Sequence, residues 1–121
     1  MKLTQKQAID AYKAVRKLEY QDMPGEKAMV MFRLRKALEP QYQFQDEQER
    51  KVLDAIGAAV NEFGGIEFKD PESKKEYVAK MKELEAIEVD VDLKEETLDI
   101  RGMTMSAKDI EALGTVIKIV C

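Results

Sequence analysis

Histidine and tryptophan are absent from this chain, and cysteine occurs once, at Cys121. Without histidine there is no imidazole general base, no Ser-His-Asp triad and no Cys-His pair. A single thiol cannot form an internal disulfide, and zinc has no usual ligand set. Glycine is sparse, and neither Gly64-Gly65 nor Gly102 is followed by the Lys-Ser/Thr ending of a phosphate-cradling loop. Runs of about 18 apolar residues, which a membrane span needs, are also missing. Met1 to Lys6 carries charge but no apolar segment behind it, so a signal peptide is not expected. Together these absences point to a cytoplasmic protein with no membrane partner, no cofactor and no enzymatic activity.

What is present is charge and apolar periodicity. Charged residues make up 36% and hydrophobic residues 45%, so one soluble domain over residues 1–121 with a modest core is expected. The net charge of −4 is unevenly spread. Residues 1–36 carry nine Lys/Arg against four Asp/Glu, and residues 37–121 carry eleven against twenty. From Glu85 to Asp99, seven acidic residues face one base, Lys94. Such a run serves as a solvated edge, or it attracts a basic partner and repels nucleic acid.

The longest helix-compatible run is Glu26 to Phe63, with apolar steps of three and four at Met31, Leu34, Leu38, Tyr42, Val52, Ile56, Ala59, Val60 and Phe63. Pro40 interrupts it and predicts a bent helix or a helical hairpin. Before it, Thr4 with Gln7 makes a capping-box pattern opening a helix that buries Ala8, Ile9, Tyr12, Val15 and Leu18. Met23-Pro24-Gly25 separates these two helices, and so short a link predicts an antiparallel pair. Gly64-Gly65 is expected to end the long element, with a short strand at Ile66 to Phe68. Asp70-Pro71-Glu72 then opens a third helix burying Tyr77, Val78, Met81 and Leu84.

Beyond this the period shortens to two. Ile87, Val89 and Val91 alternate with Glu88, Asp90 and Asp92, and Leu98 to Arg101 alternates again, which predicts an antiparallel hairpin. Ser106 with Asp109 starts a last helix, which Gly114 ends. Thr115 to Val120 suits strand or helix equally. The expected fold is α+β and predominantly helical: antiparallel N-terminal helices, a long kinked second helix, a third helix and a small β-hairpin near the C-terminus.

Three sets of side chains are candidates for function. Glu88, Asp90 and Asp92, extended by Glu95 and Glu96, form an acidic row for a basic partner. Their spacing of roughly 7 Å along a strand lets one cation bridge at most two of them, a poor metal site. Met103 and Met105 lie outside any expected helix and are candidate surface contacts, since thioethers suit adaptable binding surfaces. Arg16, Lys17, Arg33, Arg35 and Lys36 would form a basic patch on an antiparallel helix pair. The acidic remainder opposes phosphate, so nucleic acid is not the expected partner.

Taken together, several segments resemble a family of small uncharacterised proteins encoded in phages and prophages of Firmicutes. They are Met1-Lys2-Leu3-Thr4, Met23-Pro24 with Lys27, Leu34 with Lys36 and Leu38-Glu39-Pro40, Asp70-Pro71-Glu72, Glu88 to Asp92, and Met105-Ser106-Ala107. The compact Gly64-Gly65 connection and the apolar Thr115 to Cys121 ending depart from the family's pattern. The resemblance implies a phage or prophage origin, a bacterial host cell and a helical protein with a small β element. It carries over no catalytic residues. The expected function is that of a non-enzymatic accessory protein that binds a phage or host protein, with homo-oligomerisation burying surplus apolar surface. The alternatives are a counter-defence inhibitor using the acidic strand against a host nucleic-acid-binding enzyme, a metal-dependent enzyme, and a nucleic-acid binder.

Overall fold

The computed structural model describes all residues from Met1 to Cys121. In chain order the elements are β1 (Lys2–Thr4), α1 (Gln5–Leu18), α2 (Gly25–Ile56), β2 (Ala59–Val60), β3 (Ile66–Glu67), α3 (Pro71–Glu85), β4 (Glu88–Asp90), β5 (Thr97–Asp99), α4 (Ala107–Gly114) and β6 (Lys118–Val120). The fold is predominantly helical α+β, as the periodicity predicts.

The helix starts follow local chemistry. Thr4 Oγ1 accepts from the Gln7 amide while the Gln7 side chain accepts from the Thr4 amide. Ser106 and Asp109 repeat this reciprocal cap on α4, and Asp70 accepts from the Ser73 amide on α3. Each such cap satisfies amides that have no partner within the helix and contributes about 1 kcal/mol.

Helix α2 is the scaffold. Its 32 residues make a rod about 48 Å long, and α1 lies antiparallel along its middle, from Arg35 to Gln45. At one end of that pair Gln5 Nε2 donates to the Gln41 carbonyl at 2.8 Å; at the other, Glu19 meets Arg35 at 3.0 Å. Between them the Tyr12 and Tyr42 rings stack with centroids 4.6 Å apart. Pro40 does not break the helix. It is exposed, so the Lys36 carbonyl that its missing N–H leaves free is on the solvent side, where water satisfies it.

The helix ends earlier than its periodicity suggests. Gly57 adopts φ 70°, ψ 27° and returns its amide to the Asp54 and Leu53 carbonyls, so a left-handed cap stops α2 at Ile56. Ala59 and Val60 belong instead to β2, which pairs antiparallel with β3 around the turn Asn61–Gly65. Asn61 Oδ1 holds that turn by accepting from the Phe63 and Gly65 amides. Phe63, expected on the helix stripe, sits on this turn and is 89% exposed.

No hairpin joins the two C-terminal alternating segments. β4 pairs antiparallel with β1, Leu3 opposite Val89, and β5 pairs parallel with β6, Leu98 opposite Ile119. The α4 crossover supplies the reversal that a parallel pair requires. Thr115 to Val120 thus resolves into a turn followed by a strand. Lone three-residue strands leave half of their backbone groups to find, and here the chain's outer segments supply the partners.

One continuous core joins Leu3, α1 (Ala8, Tyr12, Val15, Leu18), α2 (Met31, Leu34, Leu38), Val91, Leu98, Leu113, Val116 and Ile117. Full burial of each leucine contributes roughly 1.5–3 kcal/mol. No residue between 43 and 85 belongs to it. Helix α3 buries only Ser73; Tyr77, Met81 and Leu84 are half-buried and Val78 is exposed, against the expectation of a buried stripe. The second half of α2, the β2–β3 ribbon and α3 therefore form a thinly packed annex.

Candidate interaction site

The acidic row is displayed on the surface but does not converge. Glu88 and Asp90 project from β4, Asp92 and Glu95 from the segment that follows, and all four are exposed. Asp90 meets the Met1 amino group at 3.1 Å. Glu96 departs from the expectation: it is half-buried and paired to Arg33, whose guanidinium is raised in pKa by that hydrogen bond. No group of three carboxylates or thiolates comes close enough to hold a metal ion. The row therefore offers negative potential and no coordination site.

The expected basic patch is dispersed. Arg16 and Arg35 both bind the carboxylate of Glu19, at 2.7 and 3.0 Å. Lys17 reaches Asp109 on α4 at 3.1 Å, and Lys36 stands 3.9 Å from Glu39. Arg33 and Arg35 are two residues apart, about 200° around the helix, so they face different sides of α2. Each cation has an acidic partner, and three of these five pairs, Lys17–Asp109, Arg33–Glu96 and Arg35–Glu19, tie separate segments of the fold together. Burial pushes the Asp109 carboxyl up, but hydrogen bonds from Lys17 and Ser106 outweigh it and leave the group below its ordinary value.

Met103 and Met105 are both half-buried and pack against the core, the gap-filling use of a thioether. Thr104 between them exchanges two hydrogen bonds with the Gln21 side chain, which fastens this segment below the end of α1.

A shallow groove of about 490 Å³ separates α1, α2 and α3, with Ile9, Tyr42, Tyr77 and Met81 on its walls. Its rim alternates Lys6, Lys13 and Lys82 with Asp10, Asp46 and Glu49 and so favours neither sign of ligand. Tyr77 donates to Glu49 at 2.8 Å; burial and that bond push its phenol up to about 12.

The surface that stands out lies on α2, on the side away from the core. Met31, Leu34 and Leu38 point inward. Rotated about 180° from them run Met29, Phe32, Lys36, Pro40 and Phe44, spaced by three and four residues. Met29 is 50% exposed, Phe32 44% and Phe44 42%. The Arg35 and Lys36 head groups lie 5.5 and 5.8 Å from the Phe32 ring centroid, so cations partly shield the ring. Farther along, Glu47, Lys51 and Asp54 continue the same free face. The signal for this second stripe was present in the spacing of Met29, Phe32, Pro40 and Phe44. The stronger inward stripe of the same helix masked it. The chain matches no family model, and neither a curated protein nor a solved structure shows significant similarity to it.

Proposed function

We propose that this protein is a non-enzymatic binding module that docks another protein on the outer face of α2. Following the family resemblance of its sequence, we place it as an accessory protein of a phage or prophage acting in a bacterial cell. The observation that carries the reading is the apolar stripe Met29, Phe32, Pro40 and Phe44 on the side of α2 opposite the core. Isolated apolar side chains are ordinary on a surface, but a line of them along one rigid helix is the form that helix-in-groove recognition uses. The rigid scaffold lowers the cost of ordering on binding.

Covalent side-chain footprinting tests this directly. Met29, Phe32 and Phe44 should label readily in dilute isolated protein. In a host lysate they should be protected several-fold more than Phe63. Equal labelling of all four in both settings would exclude the α2 face as a docking surface.

A second reading, a counter-defence inhibitor that lays its acidic segment into a basic nucleic-acid channel, is favoured by the exposure of Glu88, Asp92 and Glu95 without an ion-pair partner. Charge reversal at Glu88, Asp90 and Asp92 that left inhibition of a purified host nuclease intact would rule it out.

A further inference from the structure

Beyond the outer face of α2, we propose that the open edge of β5 is a strand-addition site. Its occupant is an extended, uncharged apolar segment of a partner protein, lying between β5 and α2 and continuing the β5–β6 sheet. The register of that parallel pair decides which backbone groups are free. Thr97, Leu98 and Asp99 stand opposite Lys118, Ile119 and Val120. The Lys118 amide donates to the Glu96 carbonyl, and the Ile100 amide donates to the Val120 carbonyl. Leu98 between them therefore turns its own amide and carbonyl to β6. The amides and carbonyls of Thr97 and Asp99 point the other way. The sheet has two strands only, and none of these four groups has a hydrogen-bond partner within the chain.

Beside this edge runs a groove of about 570 Å³ against the flank of α2, within the size range of ligand clefts. Two ties hold the helix alongside the strand. Lys27 Nζ donates to the Arg101 carbonyl at 3.0 Å beyond one end of β5, and Arg33 pairs with Glu96 before the other. Between them Met29, Val30 and Leu98 supply the apolar surface of the groove.

What remains unmet in the groove selects the occupant. Its charged residues are two basic, Lys27 and Arg33, and two acidic, Glu26 and Asp99, so they sum to zero. Lys27 and Arg33 are held by the ties, and Asp99 is engaged by Arg101 at 2.6 Å. No net field draws in an acidic or a basic segment. Left over are main-chain donors and acceptors in pairs, roughly 7 Å apart along the strand, and the half-exposed Met29 thioether. Another extended main chain with small apolar side chains satisfies both, by ladder bonds and by packing.

Strand β4 is the contrasting case. Its pairing with β1 leaves Glu88 and Asp90 facing outward, and both carboxylates are exposed. Charge along an edge of this kind discourages strand pairing, whereas on β5 the single acid is neutralised by Arg101. The groove meets the exposed stripe of α2 at Met29, so one partner can reach both, but strand addition does not require the stripe.

Amide hydrogen exchange of the full chain, followed by NMR, provides the test, with a capped hexapeptide of alternating threonine and valine as probe. In free protein the Thr97 and Asp99 amides should exchange faster than the Leu98 amide. At millimolar peptide the first two should slow at least about tenfold, with Leu98 unchanged. The same peptide N-methylated at every amide should give no protection, because it keeps the side chains while its methyl groups block the edge. Thr97→Pro removes one outward amide at the start of an edge strand, where proline is tolerated and the β6 ladder is spared. It should weaken peptide binding at least about tenfold. Met29→Asp, on the α2 surface and outside the ladder, should weaken it several-fold.

No slowing at millimolar peptide, or equal slowing by the N-methylated peptide, overturns strand addition. Slowing that appears without peptide and grows with protein concentration overturns the foreign segment, because a second copy then fills the groove. Footprinting of Phe32 and Phe44 in lysate decides the α2 face separately, so either surface can fail alone.

Discussion

Helices α1 and α3 have almost the same length, 14 and 15 residues, and both pack against α2, yet α1 buries eight residues where α3 buries one. Alanines at positions 8, 11 and 14 let α1 approach its neighbours closely, and α2, α4 and β1 enclose it. Helix α3 has no such small-residue stripe on its inner side and is covered mainly by α2. It is held by its Asp70 cap, the Tyr77–Glu49 hydrogen bond and the Phe68–Tyr77 ring contact at 5.4 Å. An apolar stripe therefore measures what a helix can bury. How much it does bury depends on how many neighbours surround it.

The largest effect should come from the core side of this contrast. Leu18→Ala, at a fully buried position, is expected to cost about 2–5 kcal/mol, seen as a lower denaturant midpoint with unchanged slope. Met81→Ala in α3 should cost well under half as much. Equal losses would break the distinction between core and annex.

Next in size is Asp109→Ala, which removes the acceptor of the Ser106 amide, one half of the reciprocal α4 cap, and the partner of Lys17; about 1–2 kcal/mol is expected at neutral pH. The folded carboxyl titrates below its unfolded value, so its stabilisation is present in full above the unfolded pKa of about 4. It is lost as pH falls through the lower folded value. The gap between wild type and variant should close on the acid side, and a gap that stayed constant down to about pH 3 would contradict the role given to Lys17.

Tyr77→Phe should cost about 1 kcal/mol or less. Its mark should be regional: faster amide hydrogen exchange in α3 with α1 unchanged. Smallest of all is Phe63→Ser on the ribbon turn, expected within about 0.5 kcal/mol of wild type in thermal unfolding.

Local chemistry was legible in the sequence, and long-range pairing was not. Thr4 with Gln7, Asp70 and Ser106 with Asp109 announce their helices because each cap spans only three residues. The antiparallel α1–α2 pair follows from the short link at Met23-Pro24-Gly25. The end of α2 was misplaced because Ala59, Val60 and Phe63 continue the helical period by coincidence, while one glycine in the left-handed conformation suffices to stop it. Glu88 to Asp90 and Thr97 to Asp99 look like the arms of a hairpin, but three residues do not specify a partner. Each paired with a distant strand that completes the core. Among the candidate site residues, the exposure of Glu88, Asp90 and Asp92 was readable from alternation. The neutralisation of Arg33 by Glu96 and of Lys17 by Asp109 was not, because those partners lie 63 and 92 residues away.

That separation also bears on the order in which the chain assembles. The bond between Lys17 and Asp109 closes a loop of 92 residues, whereas Tyr77 and Glu49 close one of 28. Loop closure grows costlier with length, and topologies rich in distant contacts form slowly. The annex of α2, ribbon and α3 is built from sequence neighbours, so it is expected to gather first in refolding. The stable core must wait for strands from opposite ends of the chain to meet. Pulse-labelling during refolding would then show early, weak protection in α3 and late, strong protection in α1, an order of formation that inverts the order of final stability.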